Sequence, residues 1–273
     1  MAADQPDKHY LVTRQYRDAS NLNARGSLHA RYGTNSHPWF RWVFDQALSL
    51  APSDALILEV GAGPGGLWRE NLDRLPGGWR VTLTDLSAGM VAAESAALPV
   101  ETFTCAVADV EALPFDDASF DLAIANHMLY HVPDRPRALA ELRRVLRPGA
   151  ALVAATNGQN NMRELDHLLD EVAPGLRTDA WRASFRHPFK LENGAEQLAP
   201  FFDDIEMRRY EDALEVTEVE PLVTYIDSID TPALRAPEVR AALSSRIAEI
   251  MREQGGVFHI TKSVGLFVAR RPA

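Results

Sequence analysis

Three carboxylates and two histidines stand in this chain where apolar runs give out. Glu59 lies one residue before the end of ALILEV (55–60), directly ahead of GAGPGG. Asp85 ends WRVTLTD (79–85), Asp109 ends VETFTCAVAD (100–109), and His127 and His131 follow FDLAIAN (120–126) inside NHMLYHVPD. A carboxylate beside bare glycine backbone attracts a cationic ligand and repels a pyrophosphate. Acids at strand tips can accept ribose hydroxyls or an exocyclic amine. A histidine, with its near-neutral pKa, can take a proton from a hydroxyl nucleophile. The H-x-x-x-H spacing of His127 and His131 chelates a metal when it lies on a helix. Here it lies where a strand runs into a loop with no third ligand in sight, so no metal is expected.

The elements that position these groups alternate strictly. After ALILEV comes a helix, PGGLWRENLDRL (64–75), opening on Pro64. The strand WRVTLTD precedes SAGMVAAESAAL (87–98), a helix that Ser87 is placed to cap. VETFTCAVAD, FDLAIAN and ALVAATN (151–157) complete five apolar strands, with the helix RPRALAELRRVL (135–146) before the last. Single helices between apolar strands predict a parallel, doubly wound α/β sheet that binds ligand at its carboxyl edge. Ahead of it, residues 1–53 read as a helical leader, with Phe40, Val43, Phe44, Ala47 and Leu48 at helical spacing. Beyond 157, strands are expected at about 203–216 and 258–271. Helical inserts at about 158–200 and 217–254 would cap the ligand edge. The organisation expected is thus a leader at 1–53, a core at 54–157 and the rest of the sheet with its caps at 158–273.

The glycine run satisfies two patterns. Gly61, Gly63 and Gly66 fit the G-x-G-x-x-G dinucleotide turn, with Asp85 19 residues beyond Gly66 to hold a ribose. Gly61, Gly63 and Gly65 fit the G-x-G-x-G turn of enzymes that bind S-adenosylmethionine (SAM). A P-loop is excluded, because no Gly-Lys-Ser/Thr follows. Glu59 favours a ligand with a sulfonium and an ammonium over one with a pyrophosphate.

Residues 109–149, in particular LPFDDASFD, NHMLYHVPD and LRPGA, resemble the class I SAM-dependent methyltransferases of the ubiquinone/menaquinone methyltransferase-like branch, and the resemblance spans about 55–157. It implies a mostly parallel, seven-stranded Rossmann-like sheet and transfer of a methyl group to oxygen or nitrogen of a small molecule, with S-adenosylhomocysteine (SAH) as product. It implies that Gly61, Ala62 and Gly63 bring backbone against the cofactor with Glu59 nearby, and that Asp85 takes the ribose hydroxyls. Leu86 and Met90 would flank the adenine, Asp109 its amino group and Val110 a ring nitrogen. Asn126 and His127 would stand by the methionine part and the methyl, and His127 or His131 could serve as base. In the leader, Tyr16 and Arg25 would close over the methionine end. In the cap, Trp181, Phe185, His187, Phe189 and Tyr225 would either line an acceptor pocket or simply pack. The alternatives are an NAD-dependent oxidoreductase and a non-catalytic binding domain.

Composition narrows the partners. A formal charge of −10 with no Lys/Arg-rich stretch argues against nucleic acid. The single cysteine, Cys105, precludes an internal disulfide and suits a reducing cytoplasm. No apolar run approaches membrane-spanning length. A cytoplasmic monomer or homodimer acting on a small molecule is expected.

Overall fold

The computed structural model describes residues 8–18, 20–175, 189–229 and 232–273. Seven strands form one sheet in the order β3-β2-β1-β4-β5-β9-β6, where β1 is Leu56–Val60, β2 Arg80–Asp85, β3 Phe103–Val107, β4 Phe120–Asn126, β5 Leu146–Asn157, β6 Asp203–Tyr210 and β9 Val264–Arg270. The strands β3 to β5 pair in parallel, and β9 runs antiparallel to both its neighbours. The central strands are apolar on both faces because both faces are covered. On one side Trp68, Trp79 and Phe44 pack under β1 and β2. On the other, Leu139, Leu142 and Phe202 pack under β4 and β5.

The helices follow from their caps and stripes. The leader runs through a short turn, α1 (Lys8–Tyr10), a π-turn (Leu11–Gln15), α2 (Ser20–Tyr32) and α3 (Trp39–Leu50). Val43, Phe44 and Ala47 of α3 are buried, whereas Leu48 is exposed. The helix expected over 64–75 is only α4 (Gly66–Arg69) and a 3-10 turn at Leu72–Arg74. Buried Asn71 stops it, donating through Nδ2 to the carbonyls of Leu67 (2.7 Å) and Phe40 (3.1 Å). Ser87 does cap α5 (Ala88–Ala97), accepting the Met90 N–H. Asp134 likewise caps α6 (Arg135–Val145).

The two late strands are each broken in two. What reads as one strand over 203–216 is β6 followed by β7 (Ala213–Val216), and 258–271 is β8 (Phe258–Thr261) followed by β9. β7 and β8 leave the main sheet and pair with each other. The breaks face one another, and Asp212 and Lys262 bridge them at 2.5 Å with side chains 3% and 9% exposed. Asp212 also accepts the N–H groups of Thr34 (2.8 Å) and Asn35 (2.9 Å), tying the leader to this corner. A carboxylate needs this many donors to lie buried, and a continuous ladder could not supply them.

The β7–β8 ribbon packs with α2, α7 (Arg163–Val172), α9 (Val219–Asp227) and α10 (Pro237–Glu253) into a second apolar cluster above the sheet's carboxyl edge. A short α8 (Gly194–Leu198) packs instead beneath the main sheet. Among the described residues no helix is long and apolar enough to cross a membrane.

Candidate active site

The carboxyl ends of β1, β2 and β4, the leader and the second cluster enclose a cavity of about 1580 Å³. Single-ligand pockets run to roughly 300–1,000 Å³, so this one has room for two ligands side by side. Every residue that the sequence assigns to the cofactor or to proton transfer lines it.

One end is built on the glycine turn. Gly61, Gly63 and Gly65 all have positive φ (63°, 59° and 72°), which glycine adopts at no steric cost. A Cβ at Gly61 would lie 2.7 Å from Met128 Cβ, whereas one at Gly63 would meet only Leu22, at 3.8 Å. Asp85 holds the turn. Its Oδ2 accepts the Gly63 N–H (3.0 Å) and its Oδ1 the Ser87 N–H (2.8 Å). Burial nonetheless pushes its carboxyl above the usual range. Leu86 lines the cavity beside it, and Met90 is fully buried. Asp109 turns its Oδ1 to the N–H of Glu111 (3.0 Å), while Val110 is buried next to it.

Lys8, which the sequence did not single out, bonds Asp109 Oδ2 at 2.6 Å and Glu111 Oε2 at 2.5 Å. The leader therefore reaches the carboxylate expected to receive an adenine amine, and that amine would share it with Lys8.

Glu59 lies beneath the turn, 2% exposed, with Oε2 accepting the Trp68 indole N–H at 2.5 Å. Burial, opposed by that hydrogen bond and reinforced by the Asp85 charge, raises its carboxyl to about 8. Behind it stands a carboxylate missed in the sequence. Glu94 of α5 is fully buried and both its oxygens lack a hydrogen-bond partner. Burial, then the charges of Asp85 and Glu59, pushes it up to about 8 as well. Between pH 4.5 and 8 the folded chain therefore keeps a proton here that the unfolded chain has lost, and stability falls as pH rises across that window. Glu94→Gln removes this contribution. Thermal melts should show the variant more stable than the wild type at about pH 8, with the gap closing towards about pH 5.

Between the two ends, Asn126 Oδ1 accepts the Trp39 indole N–H at 3.3 Å. His127 adopts φ +57°, rare for a side chain with a Cβ, and its ring lies 5.0 Å from that of Trp39. His131 meets the leader instead, its Nε2 2.8 Å from the Tyr16 hydroxyl. The two histidines thus face different partners. Tyr16 is fixed three ways. Its carbonyl accepts the Ser87 hydroxyl (2.8 Å), its hydroxyl meets His131, and the Arg25 guanidinium lies 5.8 Å from its ring. At Gly89 a Cβ would fall 2.1 Å from the Arg17 carbonyl, so the leader docks only because that residue is glycine. Arg25 itself points to the cap, its Nη2 3.4 Å from the Ser228 carbonyl.

Of the cap aromatics, Tyr225 lines the cavity. Phe189 does not, because it is buried against Phe267 under the main sheet. Trp181, Phe185 and His187 lie outside the described residues. The sequence also undervalued Trp39. Its place at the head of an amphipathic helix reads as packing, although an indole N–H near a cavity needs an acceptor.

A sheet in this order, with one antiparallel strand next to its edge and a glycine turn after β1, is the fold of the class I SAM-dependent methyltransferases. Residues 58–154 match the methyltransferase domain family. The chain is similar to a malonyl-[acyl-carrier protein] O-methyltransferase of Pseudescherichia vulneris, at 33% identity over 47% of this chain and 49% of the relative. It is likewise similar to the ubiquinone/menaquinone biosynthesis C-methyltransferase UbiE of Paracoccus denitrificans, at 33% identity over 57% and 60%. The matches span about half the length of these curated relatives. Among solved structures, phosphoethanolamine N-methyltransferase 2 of Haemonchus contortus with bound SAM superposes with a TM-score of 0.60 at 18% identity, covering 97% of this chain and 60% of that one. The [4+2]-cyclase SpnF superposes with a TM-score of 0.57 at 18% identity, covering 97% and 94%. At that identity the likeness concerns the fold alone.

Proposed function

We propose that this chain is a SAM-dependent methyltransferase that passes a methyl group to an oxygen or nitrogen of a small-molecule acceptor. The observation that carries the reading is Glu59, a buried carboxyl raised to about 8 that underlies a bare glycine turn. A cation bound over the turn would draw this carboxyl towards its charged form, whereas a pyrophosphate would press it further towards the neutral one, which favours a sulfonium nucleoside over NAD. Asp85 would receive the ribose hydroxyls on lone pairs its two N–H bonds leave open. Val110 and Asp109 would hold the adenine, and Gly61, Ala62 and Gly63 the methionine chain.

When bound, SAM supplies an electrophilic methyl on a good leaving group, and the chain's task is alignment and exclusion of water. Trp39 and Asn126 fix the wall beside His127, and Tyr16 closes the leader over the cavity. His131, bonded to the Tyr16 hydroxyl, stands where a proton from a hydroxyl acceptor could be taken up, and His127 lines the same chamber. The two curated relatives are named for O- and C-methylation, and the solved neighbour for N-methylation. The acceptor is therefore set by the leader and cap, outside the matched segment. We place the chain in the cytoplasm as a monomer or homodimer, without nucleic-acid or membrane partner. Its charge of −10 repels polyanions.

Thermal shift is the test. SAH should raise Tm and NAD should leave it unchanged. Stabilisation by NAD and not by SAH would reverse the assignment.

A further inference from the structure

Two polar atoms on one face of α2 are buried without a hydrogen-bond partner, and both belong to residues lining the cavity. They are Nε of Arg25 and Nδ1 of His29, one helical turn apart. Buried polar groups are nearly always satisfied, so two orphans side by side mark the place of something that binds. Among the described residues no carboxylate pairs with Arg25. Its neighbours are the rings of Tyr16, Tyr130 and Tyr225 and the Ser228 carbonyl. An arginine with its Nε buried among rings and no counter-ion is costly unless a ligand brings the negative charge. Lys262, the other cation on this wall, is already neutralised by Asp212.

The ligand that brings this charge is not the methionine end of the cofactor. Leu22, not Arg25, is the α2 residue that covers Gly63, and Arg25 sits three residues further along and reaches to the cap. Resting on the methyltransferase reading for the word acceptor, we propose that Arg25 and His29 form an anion subsite in the acceptor half of the cavity, and that the acceptor is a small aromatic monocarboxylate.

The charge follows from a count. On the wall it shares with Lys262, away from Arg69 by the glycine turn, Arg25 is the one cation among the described residues without a carboxylate partner. Burial, then the Lys262 charge, drives His29 down to about 3, so it acts as a neutral hydrogen-bonding ring. A single guanidinium matches a single planar carboxylate, which it can engage with two parallel N–H groups. The ring follows from the company: Tyr225 stands edge-on to His29 at 5.8 Å, and Tyr16 faces Arg25. The carboxylate is an anchor, and the atom that receives the methyl lies elsewhere on the acceptor.

The experiment titrates matched pairs into SAH-saturated protein by calorimetry: benzoate against benzamide, phenylacetate against phenylacetamide, and 2-naphthoate against 2-naphthamide, with phenyl phosphate as a separate arm. The expected result is that the carboxylate of at least one pair binds about tenfold or more tighter than its amide. Arg25→Met should abolish that preference while leaving SAH affinity within about twofold, and Arg25→Lys should keep part of it. No preference in any pair overturns the proposal even if neither variant folds. So does tighter binding of phenyl phosphate, a loss of SAH affinity in Arg25→Met, or a preference that Arg25→Lys leaves untouched. If SAH itself fails to bind the wild type, it is the methyltransferase reading that has failed.

Discussion

Asp85→Ala is expected to lose SAH binding by about a hundredfold or more while the chain stays folded. The carboxylate does two jobs in one place. It already takes N–H groups from Gly63 and Ser87, and it offers its remaining lone pairs to the ribose. Hydrogen bonds to a charged group contribute about 1.5–3 kcal/mol each, so two of them to the ribose hydroxyls carry two or more orders of magnitude. Alanine also frees the Gly63 N–H, so the turn loses its tether as well as its ligand. Asp85→Asn should fall between the two, since one amide oxygen can still accept but the amide NH₂ opposes the second N–H. Calorimetry reads the affinity and circular dichroism the fold. A folded Asp85→Ala that binds SAH like the wild type would put the ribose elsewhere.

The second large effect concerns Tyr16. Through its carbonyl and hydroxyl this residue joins the leader to Ser87 and His131, and its ring meets that of His131 edge-on at 5.3 Å, so it acts as a clasp across the cavity. Tyr16→Ala keeps the carbonyl contact but loses the other two. SAH should then leave about tenfold or more faster, because lid opening governs release from a closed site. Tyr16→Phe keeps the ring and removes only the bond to His131, so its release rate should lie between. Stopped-flow fluorescence can follow release through Trp39, which borders the site. An unchanged release rate in Tyr16→Ala would show that the leader does not close over the cofactor.

How much of this was legible in the sequence depends on range. The central strands, the Ser87 cap and Asp85 at the tip of β2 are local patterns, and each sits where its run of residues put it, whereas β3 is only Phe103–Val107 and leaves Asp109 in the loop beyond the strand it was expected to end. The breaks at Asp212 and Lys262 are not local. Apolar alternation runs on through both segments, and only the pairing of two residues 50 apart, together with the leader at Thr34 and Asn35, makes them bend. Lys8 on Asp109 spans 101 residues and carries no signal of its own in the sequence. Glu94 reads as one polar position on a helix, and its full burial depends on Gly65, distant in sequence, packing against it. The left-handed backbone at His127 is hidden for the same reason, since nothing in NHMLYHVPD demands it. The expected single helix over 64–75 failed because Asn71 competes for backbone carbonyls.

The most direct test of the central claim, that strand-tip carboxylates and a glycine turn hold a sulfonium nucleoside, is a crystal structure of the chain with SAH. The account predicts the ribose hydroxyls on Asp85, the adenine beside Val110 and Asp109, and the homocysteine sulfur facing the chamber of His127 and Trp39. Density for SAH away from the Gly61–Gly63 turn, or a ribose with no contact to Asp85, would contradict it.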